Sequence, residues 1–472
     1  MQLIETLAWT GERGWLKWSG KVWEQVKTPE AVEVVRLQLL AMFNAIVTEP
    51  TTTDAQRKAA MRLLGKPKAA AVLYFLEGLL HVPAEKWDAH PDYLNVKNGV
   101  VHLATGDLGK HEARFRFTKI AAARYMPYAT HADWEMALEA VPEDVRDWLQ
   151  VRYGQAATGH RTSDDVLPLQ QGSGSNGKST LVDAIADALG DHAVYVPEKV
   201  LLANPNEHPT DLMTLHGARL AIIEELPEGR HLPTKRLKDL VGTKRMTARL
   251  MRQDFVSWDA THSLVVNTNY TPLVAETDHG TWRRLALVTF PYRFIHPSEP
   301  KLLPNDRHGD PGIRERMQSD RAVKEAVLSW IVEGAKAWYA ISKEMPPVPL
   351  RVQEDTEAWR DEADVIMAYA RQHLTFDPDS MVMSTELFAD FSDWLSDKKR
   401  SPWSDQTFAS RFGGHDLAEE NKVKKGLRSI DPKTLSRRHG NNLSTPPPKR
   451  ATCWVGVKFA KVETAPALVD HT

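Results

Sequence analysis

The sequence predicts an α/β protein built around a phosphate-loop nucleotide-binding core, and three stretches carry that prediction. Residues 172–180 (GSGSNGKST) fit the loop pattern G-x-x-x-x-G-K-[ST]. Residues 219–225 (RLAIIEE) read as a buried strand ending in two carboxylates, and residues 263–269 (SLVVNTN) as an apolar strand ending in an amide. A mostly helical region with a small β element precedes this core. A basic module of helices and a closing strand follows it.

In the loop, Gly172, Gly174 and Gly177 let backbone N–H groups turn inward on a phosphate, with Ser175 and Asn176 between them. Lys178 reaches the β- and γ-phosphates, the Ser179 hydroxyl suits Mg²⁺, and Thr180 closes the motif. Residues 166–169 read as the strand before the loop. The apolar spacing of residues 179–189 places a helix N-terminus, itself an anion site, directly behind it.

Composition narrows the class. A chain of 472 residues has room for about three domains. Its 42% apolar and 26% charged content is that of an ordinary globular protein. A net charge of −2 means that a nucleic-acid partner is to be engaged by a local patch. A single cysteine, Cys453, makes neither an internal disulfide nor a cysteine-based zinc site and fits a reducing compartment. Glu5 and Glu12 interrupt the N-terminus, which has no apolar signal core, and Ala69–Leu80, read as the most apolar run, is too short to span a bilayer. The expectation is a cytoplasmic protein with no membrane partner.

Taken in order, residues 14–23 read as a small hairpin with a Ser-Gly turn. Trp9, Trp15, Trp18 and Trp23 suit the core of that element, although aromatics interleaved with lysine also suit base stacking. Residues 30–48 and 54–80 have helical periodicity, with Pro29 and Thr53-Asp54 as starts. An Asn-Gly turn joins β-type runs around 95–103, and a helical stretch from 131 to about 157 leads into the loop.

Glu224 and Glu225 gain their meaning from the apolar run before them and from lying about 47 residues after Lys178. One carboxylate of such a pair holds Mg²⁺ and the other polarises the attacking water. Glu225 is favoured as the essential one, with the division of labour open. Asn269 is placed to hydrogen-bond water or the γ-phosphate. Arg283 and Arg284 precede another β-type run, where an arginine crossing a subunit boundary can stabilise transition-state charge. Lys244, Arg245, Arg249, Arg252 and Gln253 lie in a basic segment readable as a hairpin over 246–255, suited to a phosphodiester backbone.

The order of these motifs resembles the phage and plasmid primase-helicase family, relatives of the poxvirus primase-helicase within the superfamily 3 AAA+ helicases. It runs GSGSNGKST, RLAIIEELPEG, LKDLVGTKRMTAR, LVVNTNYTP and HGTWRRLALVTF, with LNVKNGVVHLATGDL upstream and AVLSWIVEG downstream. The resemblance is strong from about residue 92 to 340. It implies an AAA+ core with Lys178, Ser179 and Thr180 on the Walker A positions, Glu225 on the main Walker B acid and Asn269 on the sensor. It further implies Arg284 as the trans-acting finger and Arg252 with Gln253 at the tip of a DNA-gripping hairpin. Glu at position 224, where the family carries Asp, is a departure.

The implied protein is an ATP- and Mg²⁺-dependent DNA helicase of a phage, prophage or plasmid, working as a hexameric ring in a bacterial host. It would move on single-stranded or forked DNA, 3′ to 5′, with hydrolysis between subunits. About 90 residues ahead of the matching region leave no room for a primase domain, so a separate primase and other replisome proteins are expected as partners. Asp377-Pro378-Asp379 reads as a turn, not as a metal-binding acid cluster.

Beyond a stiff Pro346–Pro349 linker, residues 361–374, 385–395 and 404–412 read as helices and 454–459 as a strand. Between 398 and 450 about thirteen Lys or Arg stand against about five Asp or Glu. The family often places a winged helix here, with 436–450 as its wing or a basic loop. The expected boundaries are 1–155 (N-terminal α+β domain, for oligomerisation or DNA entry), 156–345 (ATPase core) and 346–472 (winged-helix-like DNA-binding domain). Two rivals remain: a nucleotide-assembled origin-binding initiator with little helicase activity, and another DNA-directed motor ATPase.

Overall fold

The computed structural model describes residues 5–202, 209–249, 255–274, 279–398, 400, 402–438 and 447–460. The chain falls into two compact units, residues 1–272 with 284–355, and residues 273–283 with 356–472.

In the first unit, β1 (Leu7–Thr10), β2 (Gly14–Trp18) and β3 (Trp23–Val26) form an antiparallel sheet. The expected hairpin is β2–β3, closed by Ser19 N–H donating to the Val22 carbonyl at 3.0 Å. Trp15 and Trp23 are buried in the core, so the packing role of the tryptophans holds for these two. Next come α1 (Thr28–Thr48), α2 (Asp54–Leu63) and α3 (Lys66–Leu79). One helix was expected over 54–80. The chain breaks it at Leu64-Gly65, and Pro67 starts the next one in its first turn, where no N–H is needed. α1 corrects the hydropathy reading. By length and composition it could cross a bilayer, with a mean hydropathy of 1.5, and it packs against α2 and α3 with Ala31 and Val35 buried.

The meander β4 (Tyr93–Val96), β5 (Gly99–His102) and β6 (Asp107–Gly109) turns at Asn98-Gly99 as expected. Then α4 (Ala132–Leu138) and α5 (Glu143–Ala156) replace the single helix expected over 131–157, because Pro142 interrupts it.

The core follows as β7 (Leu167–Gln171), α6 (Lys178–Leu189), β8 (Ala193–Val196), α7 (Lys199–Leu202), β9 (Leu220–Glu224) and α8 (Thr234–Gly242). It continues through β10 (Arg245–Ala248), β11 (Val256–Asp259), β12 (Ser263–Thr268), α9 (His279–Trp282) and β13 (Leu285–Thr289). β14 (Arg293–Ile295), β15 (Asp306–His308), α10 (Ile313–Ser319) and α11 (Arg321–Ala340) complete the unit. The main sheet has the order β13-β7-β12-β9-β8, and all its pairings are parallel. β9 and β12 carry the apolar runs Leu220–Ile223 and Leu264–Val266 because both faces of the sheet are buried. α5 and α11 cross at Gly154 and Gly334, where a Cβ on either would run into the other helix's backbone. One hydrophobic core joins residues 94–157 to the sheet and α11, so the expected boundary at 155/156 falls inside it.

The chain then passes through α12 (Leu350–Ala363) to α13 (Val365–His373), β16 (Leu374–Met383), α14 (Ser384–Asp397), α15 (Asp405–Gly413), α16 (Asp416–Glu420), β17 (Lys424–Ser429) and β18 (Arg450–Phe459). The stretch 361–374, expected as one helix, divides at Asp364, whose carboxylate caps α13 by accepting from Met367 N–H at 2.8 Å. The second unit's sheet is antiparallel, in the order β16-β18-β17. Tyr369, Phe391, Phe408, Phe412 and Trp454 fill its core. Asp377-Pro378-Asp379, expected as a turn, lies within β16, where the register slips between Asp377 and Met381. Residues 273–283 belong to this unit, with Trp282 packed edge-on to Trp359 at 5.0 Å between ring centroids.

Candidate active site

Because β7, β9 and β12 run parallel, their C-terminal ends open on one edge of the sheet, and the sequence-predicted residues collect there. The 172–177 loop leaves β7 and enters α6 at Lys178. Gly174, Ser175 and Gly177 all have positive φ, at 95°, 49° and 78°. This curve aims successive N–H groups into one concavity at the N-terminus of a twelve-residue helix. Asn176 is buried, and its Oδ1 accepts from Lys178 N–H at 3.3 Å.

Lys178 is 5% exposed. Its ammonium donates to the Thr268 carbonyl at 2.6 Å and to Asn269 Oδ1 at 3.4 Å, so the end of β12 holds it across the mouth of the loop. Burial pulls its pKa down to about 8, and the nearby Glu225 carboxylate opposes that shift. Asn269 donates from Nδ2 to Glu225 Oε1 at 3.0 Å, while Glu225 N–H donates to the Asn267 carbonyl at 2.8 Å. Lys178, Asn269 and Glu225 therefore form one hydrogen-bonded chain drawn from three separate sequence stretches. Glu224 ends β9 beside them. Partial burial raises its pKa, and Asp183 of α6 adds to the rise. Glu225 takes the left-handed backbone, with φ 56°, that ends the strand.

Three contributors carry no motif. Phe294 N–H donates to the Ser175 carbonyl at 2.7 Å, so β14 clamps the loop from 119 residues downstream. Asp183, one turn into α6, accepts from Tyr195 Oη at 2.7 Å and from Arg314 at 2.9 Å. Beside Ser175, Gly177 and Thr180 opens a recess of about 350 Å³, walled by Met136, Ala140, Phe294 and His308. An apolar-residue periodicity would find none of these, because each is a long-range contact.

The remaining predicted residues lie elsewhere. Arg284 sits at the opposite edge of the sheet, since Leu285 pairs with Leu167 at the start of β7. Four residues of strand, roughly 13 Å, separate that edge from the start of the loop. The Arg284 side chain is 14% exposed and faces Asp165 at 3.8 Å, whereas Arg283 is exposed. The basic hairpin is β10–β11, paired from Arg245–Asp259 to Ala248–Val256, with Lys244, Arg245 and Arg249 exposed. Arg252 and Gln253 lie outside the described residues.

The residues fit a nucleotide triphosphate. The concave loop offers N–H donors, Lys178 offers a cation, and the recess accepts an apolar ring. Ser179 and the two glutamates supply oxygen donors of the kind Mg²⁺ takes. Among the described residues no group of three or more His, Cys, Asp or Glu forms a metal cage.

A family described as D5 N terminal like matches residues 4–143, and a family of unknown function (DUF5906) matches 170–284. "Putative primase C962R" of African swine fever virus is 27% identical over 328 residues, covering 66% of this chain and 34% of that protein. "Putative helicase 022R" of Frog virus 3 is 26% identical over 246 residues, covering 49% of this chain and 24% of that protein. The chain thus spans about a third or less of the length of these relatives. Among solved structures, the NrS-1 C-terminal region covers 95% of each chain at 10% identity and a TM-score of 0.46. The chain thus has a D5-like region ahead of the phosphate loop, and the viral proteins it is similar to are named for primase and helicase.

Proposed function

We propose that this chain is an ATP-dependent DNA helicase motor of the superfamily 3 AAA+ type that works in viral or plasmid DNA replication. The observation that carries the reading is the chain Lys178–Asn269–Glu225 at the mouth of a phosphate loop. The parallel order β13-β7-β12-β9-β8, which puts the amide-bearing strand between the loop strand and the acidic strand, supports the AAA+ assignment. The three-stranded sheet over α13–α15 in the second unit supports a winged-helix fold there.

The nucleotide supplies the phosphoryl group and, with Mg²⁺, the charge to be stabilised. The loop N–H groups and Lys178 would bind the phosphates, Ser179 and the glutamates would hold the metal, and the recess beside Gly177 would take the base. Glu225 orients and deprotonates the attacking water, and Asn269 fixes the carboxylate that does so. ATP would draw Lys178 off the Thr268 carbonyl and Asn269, releasing the amide toward the γ-phosphate. The place of the arginine pair at the far edge of the sheet from its own loop supports its supply by a neighbour in a ring. Arg283 is the better-presented member, with Arg284 as its anchor on Asp165. The β10–β11 hairpin would contact single-stranded DNA inside the ring.

ATPase rate with and without single-stranded DNA, on wild type and Lys178→Ala, together with native mass, tests the reading. A DNA-stimulated rate from a hexamer-sized particle, lost in the variant, is expected. A monomer that binds ATP and ignores single-stranded DNA would overturn it in favour of an origin-binding initiator.

A further inference from the structure

The second unit segregates its charge. β17 is the outer strand of the order β16-β18-β17, so one of its edges has no neighbouring strand within that sheet. Lys424, Lys425 and Arg428 are exposed along it. Arg450 pairs opposite Ser429, and Ile430 N–H donates to the Lys449 carbonyl at 3.1 Å, which brings two more exposed cations to the same ribbon. Among the described residues none of the five forms an ion pair. Lys425 lies over the Trp454 ring at 5.5 Å, and Arg428 donates to the carbonyl of its neighbour Leu427.

Three cations elsewhere in this unit are neutralised, whereas Lys422 and Lys433 are exposed like the ribbon's own. Arg437 donates to Glu386 at 2.7 Å, Lys458 to Asp377 at 2.7 Å, and Arg438 pairs with Asp390. The helix that a winged fold would lay in a groove offers phosphates no net charge. α15 sets Asp405 against Arg411, which lies over the Trp403 ring at 4.7 Å, and α16 after it carries Asp416, Glu419 and Glu420. Lysines on an edge strand also discourage edge-to-edge aggregation. That purpose does not account for Lys449 and Arg450, before and at the start of the inner strand, or for the lack of counter-charges.

We propose that the β17–β18 ribbon is a sequence-independent site for the phosphodiester backbone of duplex DNA, while α15 reads no bases. At about 3.3 Å per residue the strand spans roughly 20 Å, enough for several phosphates of one strand. Duplex is favoured over single strand because the ribbon offers no exposed aromatic for stacking, and duplex has the denser charge.

This rests on the nucleic-acid reading above, and the test separates the two. Binding of the full chain to two duplexes of unrelated sequence is measured from 50 to 200 mM salt. Lys424→Ala/Lys425→Ala/Arg428→Ala is expected to lower the salt slope by about 2.7, so that the gap to wild type narrows about fortyfold over that range, equally for both duplexes. ATPase activity without DNA should stay at the wild-type level. The charge-preserving Lys424→Arg/Lys425→Arg/Arg428→Lys variant should bind as wild type, which excludes a folding defect. An unchanged slope with increased aggregation would overturn the proposal and leave edge protection. Loss of discrimination between the duplexes on Gln406→Ala/Ser410→Ala would equally overturn it. If the wild-type chain binds no DNA at all, the nucleic-acid reading itself fails.

Discussion

Gly177 is the residue where the loop's curve and its packing meet, and two glycine substitutions separate these contributions. Its φ of 78° lies in the left-handed region, which costs an L-residue about 1–2 kcal/mol. A Cβ there would stand 2.7 Å from Ala140 Cβ and 3.2 Å from Phe294 Cε2. Such overpacking adds about 1–3 kcal/mol, so Gly177→Ala should cost about 2–5 kcal/mol. Gly174 has a φ of 95° but nothing within 4 Å of its would-be Cβ, so Gly174→Ala should cost only the backbone share, about 1–2 kcal/mol. Hydrogen exchange at the α6 amides, without nucleotide, reads local opening and avoids the mixed unfolding of two units. Exchange should accelerate at least about thirtyfold in Gly177→Ala and about five- to thirtyfold in Gly174→Ala. Equal acceleration in the two would refute the clamp of Ala140 and Phe294 on the loop.

The site makes further predictions. Phosphates favour charged Lys178 and raise its pKa in the complex, so binding takes up a proton. ATP affinity should be flat below pH about 8 and fall up to tenfold per unit above it, with calorimetry in two buffers at pH 8.5 showing the uptake. Asn269→Ala should leave ATP binding nearly intact and lower turnover about a hundredfold; a loss of affinity without a loss of turnover would reassign Asn269 to binding. Arg283→Ala should abolish turnover while sparing ATP binding, measured by steady-state hydrolysis beside fluorescent-nucleotide titration. Arg284→Ala should also lower the melting temperature, because Asp165 loses one of its two arginine partners.

The residues legible in the sequence were those whose local pattern already says what they do. The glycine loop follows a strand, and the apolar runs before Glu224 and Asn269 each form one, near the expected place. Helix breaks were harder. Gly65 and Pro142 interrupt stretches whose apolar spacing carries on across them. β17, with the sequence KKGLRS, has no strand signature because an exposed edge strand needs no alternating apolar face. The clamp of Phe294 on Ser175, the hold of Thr268 on Lys178 and the placing of Arg284 away from the loop are tertiary facts with no local signal.

Trp282 against Trp359 also has a practical consequence. Residues 273–283 leave the first unit, join the second and return at Arg284, so the chain is threaded through the second unit as well as tethered to it. A protease nick in the segment 341–349 would give two bands on a denaturing gel, yet the pieces would travel together under native conditions. Deleting everything after residue 345 would strip a tryptophan that is 6% exposed of its partner ring. The shortened protein would carry a new sticky patch one residue from the arginine pair, and its poor solubility would be easy to mistake for a failure of the ATPase fold.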